Sequence, residues 1–302
     1  MSRRSVLAGA ATGTLAGAAG CTSGSGAGAQ SLTVSVWSGT YADAFRETVK
    51  PVYEDRTGNT LEVVGNWSGI LSKVRSAPAD DPPYDVTIGG PRVHFRGAQD
   101  DLWQPVRYDR LSNDDAIKPR LMEYEAAQAA LPVNYGLEVY VFDESRVDAV
   151  PEAWDGIHSA SNVALSGFNF SHPLMMAAIV MDEKPLIEEV YDPSYHDQLF
   201  EFLGGIDLVK FYSGSQDMWT SMRQGVIDVA QWYLAYSLEK DKSTDDLDIG
   251  VHVPETTVGY VDYYQVVRGA DRELAEEFLD ILLAEEAQSA FAEQFSVGMA
   301  NE

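Results

Sequence analysis

Hydrophobic and polar residues follow two periods in turn along most of the chain. Leu32, Val34 and Val36 alternate with polar residues, which predicts a half-buried strand. The next apolar residues recur every three or four positions up to Gly58, which predicts a helix that ends there. Strand-like and helix-like segments continue to alternate, and the resulting β-α-β-α-β order predicts a parallel sheet with helices on its faces. Further strands are predicted at 61–64, 86–88, 131–134, 137–142, 163–165, 227–232, 249–253 and 258–267, with a short helix at 68–76.

The last periodic segment predicts one long amphipathic helix from about Asp271 to Phe295. Asp271 stands just before the first helical residue, where a carboxylate accepts hydrogen bonds from first-turn N–H groups. Glu273 adds negative charge to the positively polarised first turn. We therefore expect Asp271 to be the N-cap of this helix.

The acidic composition argues against two classes of function. The 302 residues include 21 Lys and Arg against 47 Asp and Glu, which gives a formal net charge of −26. Sequence-independent nucleic-acid binding needs a basic surface that displaces counterions from phosphates. Docking on an anionic membrane through protein charge is disfavoured for the same reason. Hydrophobic residues supply 45% of the chain, enough for a large core, and the length fits two lobes of ordinary domain size.

The same charge predicts a high-salt environment. Self-repulsion destabilises a compact acidic protein at low ionic strength, whereas concentrated salt screens it over a few ångström. We therefore expect a halophilic protein, with an acidic protein from an ordinary environment as the alternative.

The N-terminus is typical of an export signal. Residues 1–20 contain a basic start, a short apolar stretch and small residues before Cys21, the one cysteine of the chain. Arg3 and Arg4 resemble a twin-arginine signal, and the Ala-Ala-Gly before Cys21 resembles a lipobox, in which the cysteine is lipidated. Residues 21–30 are rich in Gly, Ser and Ala, as in a flexible tether. We expect a lipid-anchored protein on the extracellular face of the membrane; an uncleaved anchor or plain secretion is the alternative.

Residues with catalytic or metal-binding chemistry are scattered along the chain. The five histidines include no pair at a spacing that would place both on one helix face. The chain has neither a Gly-x-x-x-x-Gly-Lys loop for nucleotide phosphates nor a Gly-x-Ser-x-Gly nucleophile motif. Acidic pairs are common, but among 47 carboxylates each is better explained as solvated surface. We predict a protein that is not an enzyme and that uses no metal or cofactor.

Aromatic residues follow directly after several predicted strands. Ligands of open parallel sheets bind beyond the carboxyl ends of the strands, so side chains at these positions reach a cleft. Core packing explains any one of them, but it explains less well why the whole set clusters at strand ends. Phe168 also belongs to this set. The residues that we select as site candidates are Trp37, Tyr41, Trp67, Tyr135, Phe170, Trp232, Tyr233 and Tyr260, with Asp262 close to the last.

Five short motifs are spaced along the chain from Leu32 to the end. They are Val36-Trp37-Ser38-Gly39-Thr40-Tyr41, Pro83-Tyr84-Asp85-Val86, Leu131-Pro132-Val133-Asn134-Tyr135-Gly136-Leu137, Gln224-Gly225-Val226-Ile227-Asp228-Val229-Ala230 and Arg268-Gly269-Ala270. Their order resembles the extracellular solute-binding proteins of ABC importers, in the polyamine- and ferric-ion-binding branch. The resemblance implies an α/β, periplasmic-binding-protein-like clamp of two lobes, each a mostly parallel sheet flanked by helices. It implies that residues 31–135 and 258–302 form lobe 1 and residues 136–257 form lobe 2.

The resemblance also implies a site for a polyamine-like cation between the lobes. Ring faces attract ammonium groups, and a carboxylate pairs with one end of such a ligand. Tyr260 stands where the polyamine branch has a further Trp. The residues that match the branch's cation site are Trp37, Tyr41, Trp232 and Asp262.

Two departures from the polyamine pattern keep other ligands open. The branch has acidic residues where this chain has 167–171, Gly-Phe-Asn-Phe-Ser. Arg92, close to the place of a first-lobe aromatic residue, repels a polycation and attracts a carboxylate or phosphate. A small organic anion is therefore one alternative ligand. Ferric ion is another, with phenolates from Tyr233, Tyr263 and Tyr264, although adjacent residues of a strand point to opposite faces.

Together these features predict a monomeric, exported solute-binding protein that delivers a small ligand to an ABC permease. Its contact with the membrane would be through the lipid alone. An exported enzyme and a chemosensory ligand receptor are the alternatives of a different class. Asn66 and Asn169 both match the N-glycosylation acceptor pattern, and we predict that neither carries a glycan because both adjoin the candidate cleft.

Overall fold

The computed structural model describes residues 29–181, 190 and 192–301. The predicted export signal, the lipidation site Cys21 and most of the predicted tether lie outside the described residues. Within those residues, no helix combines the length and the apolar character that a membrane crossing needs.

The first part of the chain forms the predicted parallel sheet. β1 pairs in parallel with β2 on one side and with β3 on the other. The helix predicted after β1 is two helices with a break at Thr48, whose φ of −117° departs from the usual helical value. The second helix ends at Gly58, which has a φ of 72°. The elements are β1 (Ser31–Val36), α1 (Thr40–Glu47), α2 (Val49–Thr57), β2 (Thr60–Gly65), α3 (Ile70–Ser76), β3 (Val86–Gly89) and α4 (Pro91–Gln99).

A single strand of 13 residues, β5 (Leu131–Asp143), replaces the two strands predicted there. The short elements β4 (Trp103–Gln104) and α5 (Pro119–Met122) precede it. The first half of β5 pairs antiparallel with β10 (Gly259–Val267), and the second half pairs antiparallel with two other strands. β5 therefore connects two groups of strands in one continuous sheet. The strand order is β2-β1-β3-β10-β5-β8-β6-β7, where β6 is Val163–Ser166, β7 is Leu208–Tyr212 and β8 is Val229–Tyr233.

The second group of strands is also parallel at its centre, where β6 lies between β7 and β8. β7 was not predicted. It lies at the edge of the sheet and leaves Val209 and Phe211 exposed, so its sequence shows no alternation of apolar and polar residues. The elements are β6 (Val163–Ser166), α6 (Ser171–Met181), α7 (Pro193–Gly204), β7 (Leu208–Tyr212), α8 (Ser215–Arg223), β8 (Val229–Tyr233), α9 (Leu234–Lys242) and β9 (Ile249–His252).

The long C-terminal helix of the prediction is also two helices, α10 (Arg272–Leu283) and α11 (Glu285–Gln294). Ala284 between them is extended, and the side chains of Gln288 and Asn301 donate to backbone carbonyls at the end of α10. Asp271 is the N-cap, as predicted, and accepts from the backbone N–H groups of residues 273 and 274. The chain then forms β11 (Gly298–Met299) beside β5.

The buried apolar side chains gather around several centres. One large cluster joins β1, α1 and α10, with Leu32, Phe45 and Phe278 among its members. Other clusters lie around β6 and β8. Tyr236 packs against both groups. The lobe boundaries at 135/136 and 257/258 stay a prediction.

Candidate functional site

Aromatic side chains from both groups of strands meet in one cluster. Trp37 follows β1 and Trp67 follows β2, and their rings meet edge to face with centroids 5.6 Å apart. Trp67 also lies 6.2 Å from Phe168, which follows β6, and 5.5 Å from Tyr236 in the first turn of α9. A ring from one group of strands therefore packs directly on rings from the other.

The remaining rings extend this cluster towards β10. Trp232 lies 6.1 Å from Phe168 and 4.9 Å from Tyr233, both distances between ring centroids. Tyr233 meets Tyr260 edge to face at 5.2 Å. We call this set the aromatic cluster; it comprises Trp37, Trp67, Phe168, Trp232, Tyr233, Tyr236 and Tyr260.

Asp262 places a buried carboxylate at the edge of the aromatic cluster. Its residue is only 5% exposed. The indole Nε1 of Trp37 donates to Oδ1 over 3.0 Å, and the amide Nδ2 of Asn134 donates to Oδ2 over 2.7 Å. Burial raises the pKa of Asp262 to about 6, although these two hydrogen bonds act in the opposite direction. A carboxylate desolvated in this way gains from a cationic partner.

The geometry of β10 explains why Tyr260 and Asp262 share a face. Residues two apart on a strand point to the same side, so Tyr260, Asp262 and Tyr264 lie on one face. Gly136 stands opposite Tyr260 in the ladder, and a Cβ atom there would overlap the Tyr260 hydroxyl. The glycine therefore allows the Tyr260 ring to cover the neighbouring strand.

Tyr41 supports the site from the core. Its ring is buried against Phe291 and Phe295, with centroids 4.9 and 5.2 Å away. Its hydroxyl donates to Oδ1 of Asn134 over 2.8 Å. This bond leaves the Asn134 amide group free to point its Nδ2 at Asp262. Tyr41 is therefore connected to the candidate site through Asn134.

Tyr135, Arg92 and Phe170 are not members of the aromatic cluster. Tyr135 is adjacent to Asn134 on β5 and points to the other side, where its ring lies against Gly298 and 5.9 Å from Nζ of Lys118. Phe170 is 56% exposed. The Arg92 guanidinium lies over its ring, 5.9 Å from the centroid. Arg92 and Phe170 therefore form a pair outside the aromatic cluster.

A second buried carboxylate, Glu138, already has side-chain partners. It lies against Nδ1 of His172 and accepts a hydrogen bond from the amide of Gln231. Burial, with a smaller contribution from the charge of Arg92, lowers the pKa of His172 to about 3, so this imidazole is neutral at pH 7. The His172 ring also touches Tyr233, with centroids 5.7 Å apart.

Three members of the site were missing from the predicted set. Phe168 belongs to the aromatic residues at strand ends but not to the selected candidates, and Asn134 and Tyr236 belong to neither group. Tyr236 follows the predicted strand 227–232 by four residues, much as Tyr41 follows the first strand, and this position is a signal that finds it. Asn134 lies between two strand residues of the same β5 segment, and nothing in the local sequence indicates its partners.

The three tyrosines considered for ferric ion are not brought together. Tyr264 shares a hydrogen bond with Tyr41, whereas Tyr263 points to the opposite face and lies 6.4 Å from the ring of His94. Burial raises the pKa of Tyr233 to about 12, which makes its phenolate costly. No group of three or more His, Cys, Asp and Glu side chains in the described part of the chain could hold a metal ion.

Comparison with known proteins identifies the fold. No family model and no curated protein sequence matches the chain. Among solved structures, it is similar to the spermidine/putrescine ABC transporter substrate-binding protein PotD from Streptococcus pneumoniae, with a TM-score of 0.75 and 18% identity over 90% of this chain and 84% of that one. It is also similar to iron-bound HitA from Pseudomonas aeruginosa, with a TM-score of 0.69 and 16% identity over 90% and 87% of the two chains.

A third similar structure is the periplasmic binding protein AgtB from A. tumefaciens in complex with agropinic acid. The TM-score is 0.72 and the identity 15%, over 90% of this chain and 83% of that one. The expected fold is confirmed: the chain has the α/β fold of the periplasmic binding proteins. The antiparallel pairings of β5 and β10 make the sheet more mixed than expected.

Proposed function

We propose that this protein is the solute-binding component of an ABC importer and that it captures a small organic ammonium compound at Asp262. The fold, which it shares with substrate-binding proteins of such importers, supports the transport role. In this proposal, residues 31–135 with 258–302 and residues 136–257 are two lobes that close on the ligand. The importer permease receives the ligand, and the lipid on Cys21 holds the protein at the outer face of the membrane.

The observation that carries the proposal is the environment of Asp262. Both carboxylate oxygens accept one hydrogen bond each, from Trp37 and Asn134, and each retains lone pairs for a ligand. Tryptophan and tyrosine rings next to this carboxylate offer faces that attract ammonium groups. Burial alone makes the ionised carboxylate costly, so a bound cation offsets that cost. This combination favours a cation with an apolar body.

Rings from both strand groups support the clamp. Trp67 comes from the sheet edge near β2, whereas Phe168 and Tyr236 come from the β6–β8 group, and their rings are in contact. A ligand that binds between these rings has to replace their direct contact and then contact both strand groups itself. Ligand-dependent closure is expected from such an arrangement.

Titration calorimetry in high salt with a panel of primary, secondary and quaternary ammonium compounds tests the proposal. Removal of a buried charge partner costs roughly 2–5 kcal/mol, so Asp262→Asn should weaken binding by tens to thousands of fold. Asp241→Asn, at an exposed position of α9, is the matched control and should bind like the wild type. Equal affinities in all three proteins, or no heat with any ammonium compound, would overturn the assignment of the site.

A further inference from the structure

We propose that the ligand is a zwitterion, with its ammonium group at Asp262 and an acidic group between Arg92 and the indole N–H of Trp232. The inference rests on the proposed function and names the class of compound that the same site accepts. It makes Arg92 a residue that determines specificity, and it disfavours a diamine or polyamine.

The charges around the aromatic cluster indicate one cationic group. Asp262 is the carboxylate whose charge contributes to raising the pKa of the cluster tyrosines Tyr233, Tyr236 and Tyr260, after burial. The other buried carboxylate near the cluster, Glu138, is occupied by His172 and Gln231. A diamine would bring a second ammonium group into this cluster, and the described residues offer it no second buried carboxylate there that is not already paired. A single ammonium group matches the site.

Unpaired polar atoms indicate a ligand that also accepts hydrogen bonds. Trp232 is 1% exposed, and its Nε1 is buried with no hydrogen-bond partner in the described structure. An indole N–H is a donor only, and a protonated diamine also has donors only, so the two cannot pair. An oxygen atom of the ligand satisfies this N–H. The hydroxyl of Tyr236, buried and unpaired as well, can donate to the same oxygen or accept from the ammonium group.

Arg92 supplies positive charge beside the turn that carries Phe168 and Phe170. No carboxylate of the described residues lies within 4.0 Å of its guanidinium group, which rests over Phe170. Phe168, two residues earlier, touches Trp232. Arg92 and the Trp232 indole therefore both approach the same short turn, whereas Asp262 is hydrogen-bonded to Trp37.

The site therefore has a buried carboxylate bonded to Trp37 and a guanidinium group beside the turn whose Phe168 packs on Trp232. An arginine offers planar donors to a carboxylate, and a buried indole N–H can donate a further hydrogen bond that orients the acidic group. The competing explanation is that Arg92 only balances the buried Glu138, since its charge reaches His172. In that case Arg92 would influence all ligands alike, whereas the proposal predicts opposite effects on two classes of ligand.

The experiment is calorimetry on the full-length protein with three matched series of two to six carbons. They are ω-amino acids, primary alkylamines and α,ω-diamines. The wild type should bind its best ω-amino acid at least tenfold more tightly than the alkylamine and the diamine of equal length, about 1.4 kcal/mol. Arg92→Gln should weaken the amino acid about tenfold and tighten the alkylamine, because it removes attraction for one and repulsion for the other. Arg96→Gln, on an exposed position of the same helix, is the matched control and should change neither.

Trp232→Phe keeps a ring and removes the N–H, and it should weaken the amino acid more than the alkylamine. The inference is wrong if amines bind through Asp262 but a diamine binds as tightly as the amino acid. It is equally wrong if Arg92→Gln shifts all three series in the same direction. Failure of every ammonium compound to bind, or binding that is insensitive to Asp262→Asn, overturns the proposed function itself and the inference with it.

Discussion

Acidification from pH 8 to pH 5 is expected to weaken ligand binding through Asp262 alone. The carboxylate attracts an ammonium group only when it is ionised, and burial raises its pKa to about 6. With that pKa the carboxyl group is about ten parts protonated to one part ionised at pH 5, so the apparent Kd rises about elevenfold. An ordinary aspartate of pKa about 3.9 would change the Kd by only about a tenth over the same range.

The tyrosines around the site and His172 do not titrate between pH 5 and pH 8. Burial raises the pKa of Tyr233 to about 12 and those of Tyr41, Tyr236, Tyr260 and Tyr264 well above their ordinary value. Burial, helped by Arg92, lowers the pKa of His172 to about 3. Calorimetry at half-unit intervals between pH 5 and 8, with a permanently charged quaternary ammonium ligand, therefore reports the ionisation of Asp262. A Kd that stays constant to within twofold would refute the reasoning.

The same shift has a consequence for the protein without ligand. Because the folded-state pKa lies above the ordinary value of 3.8, folding favours the protonated form. The contribution of Asp262 is therefore fully present below about pH 4 and is lost as the pH rises through 6, a change of up to about 3 kcal/mol. Asp262→Asn should accordingly unfold at higher denaturant than the wild type at pH 7 and at a similar concentration at pH 4. A variant that is less stable than the wild type at pH 7 would contradict this account.

Four further predictions concern the rest of the molecule. Gly136→Ala should displace Tyr260, weaken ligand binding and cost roughly 1–3 kcal/mol in denaturant unfolding, whereas Gly90→Ala, where nothing lies within 4 Å of the added Cβ, should cost far less. Asp271→Ala should cost about 1 kcal/mol of unfolding free energy through the lost N-cap, and an unchanged midpoint would contradict the cap. Glycopeptide mapping of the exported protein should find Asn66 without glycan, because this side chain is buried and bonded to a serine and a tyrosine hydroxyl. Thermal unfolding in increasing KCl should show a rising Tm if the acidic surface reflects a high-salt environment; a flat curve would count against it.

Local patterns predicted most of the strands and the α/β class of the fold, whereas several helices, β7 and the breaks within two predicted helices were not predicted. The alternation from Leu32 to Val36 and the cap at Asp271 depend on neighbours in sequence, so they could be recognised directly. The break at Ala284 could not, because it is accompanied by hydrogen bonds from side chains that follow α10 in the sequence. Strand ends indicated Trp37 and Trp67 as site residues. The part played by Asn134 depends on partners 93 and 128 positions away in sequence.

The crossing of β5 from one strand group to the other has a mechanical consequence. Three glycines meet there on adjacent strands, since Gly136 faces Tyr260, Gly259 faces Leu137 and Gly298 faces Tyr135. At two of these positions an aromatic ring approaches the glycine so closely that a Cβ atom there would overlap it: Tyr260 at Gly136 and Tyr135 at Gly298. Few side-chain atoms interlock across the strands at these positions, so their rotation against one another would disengage little packing. If the proposed lobes close on a ligand, we therefore expect the sheet to twist along this line of glycines.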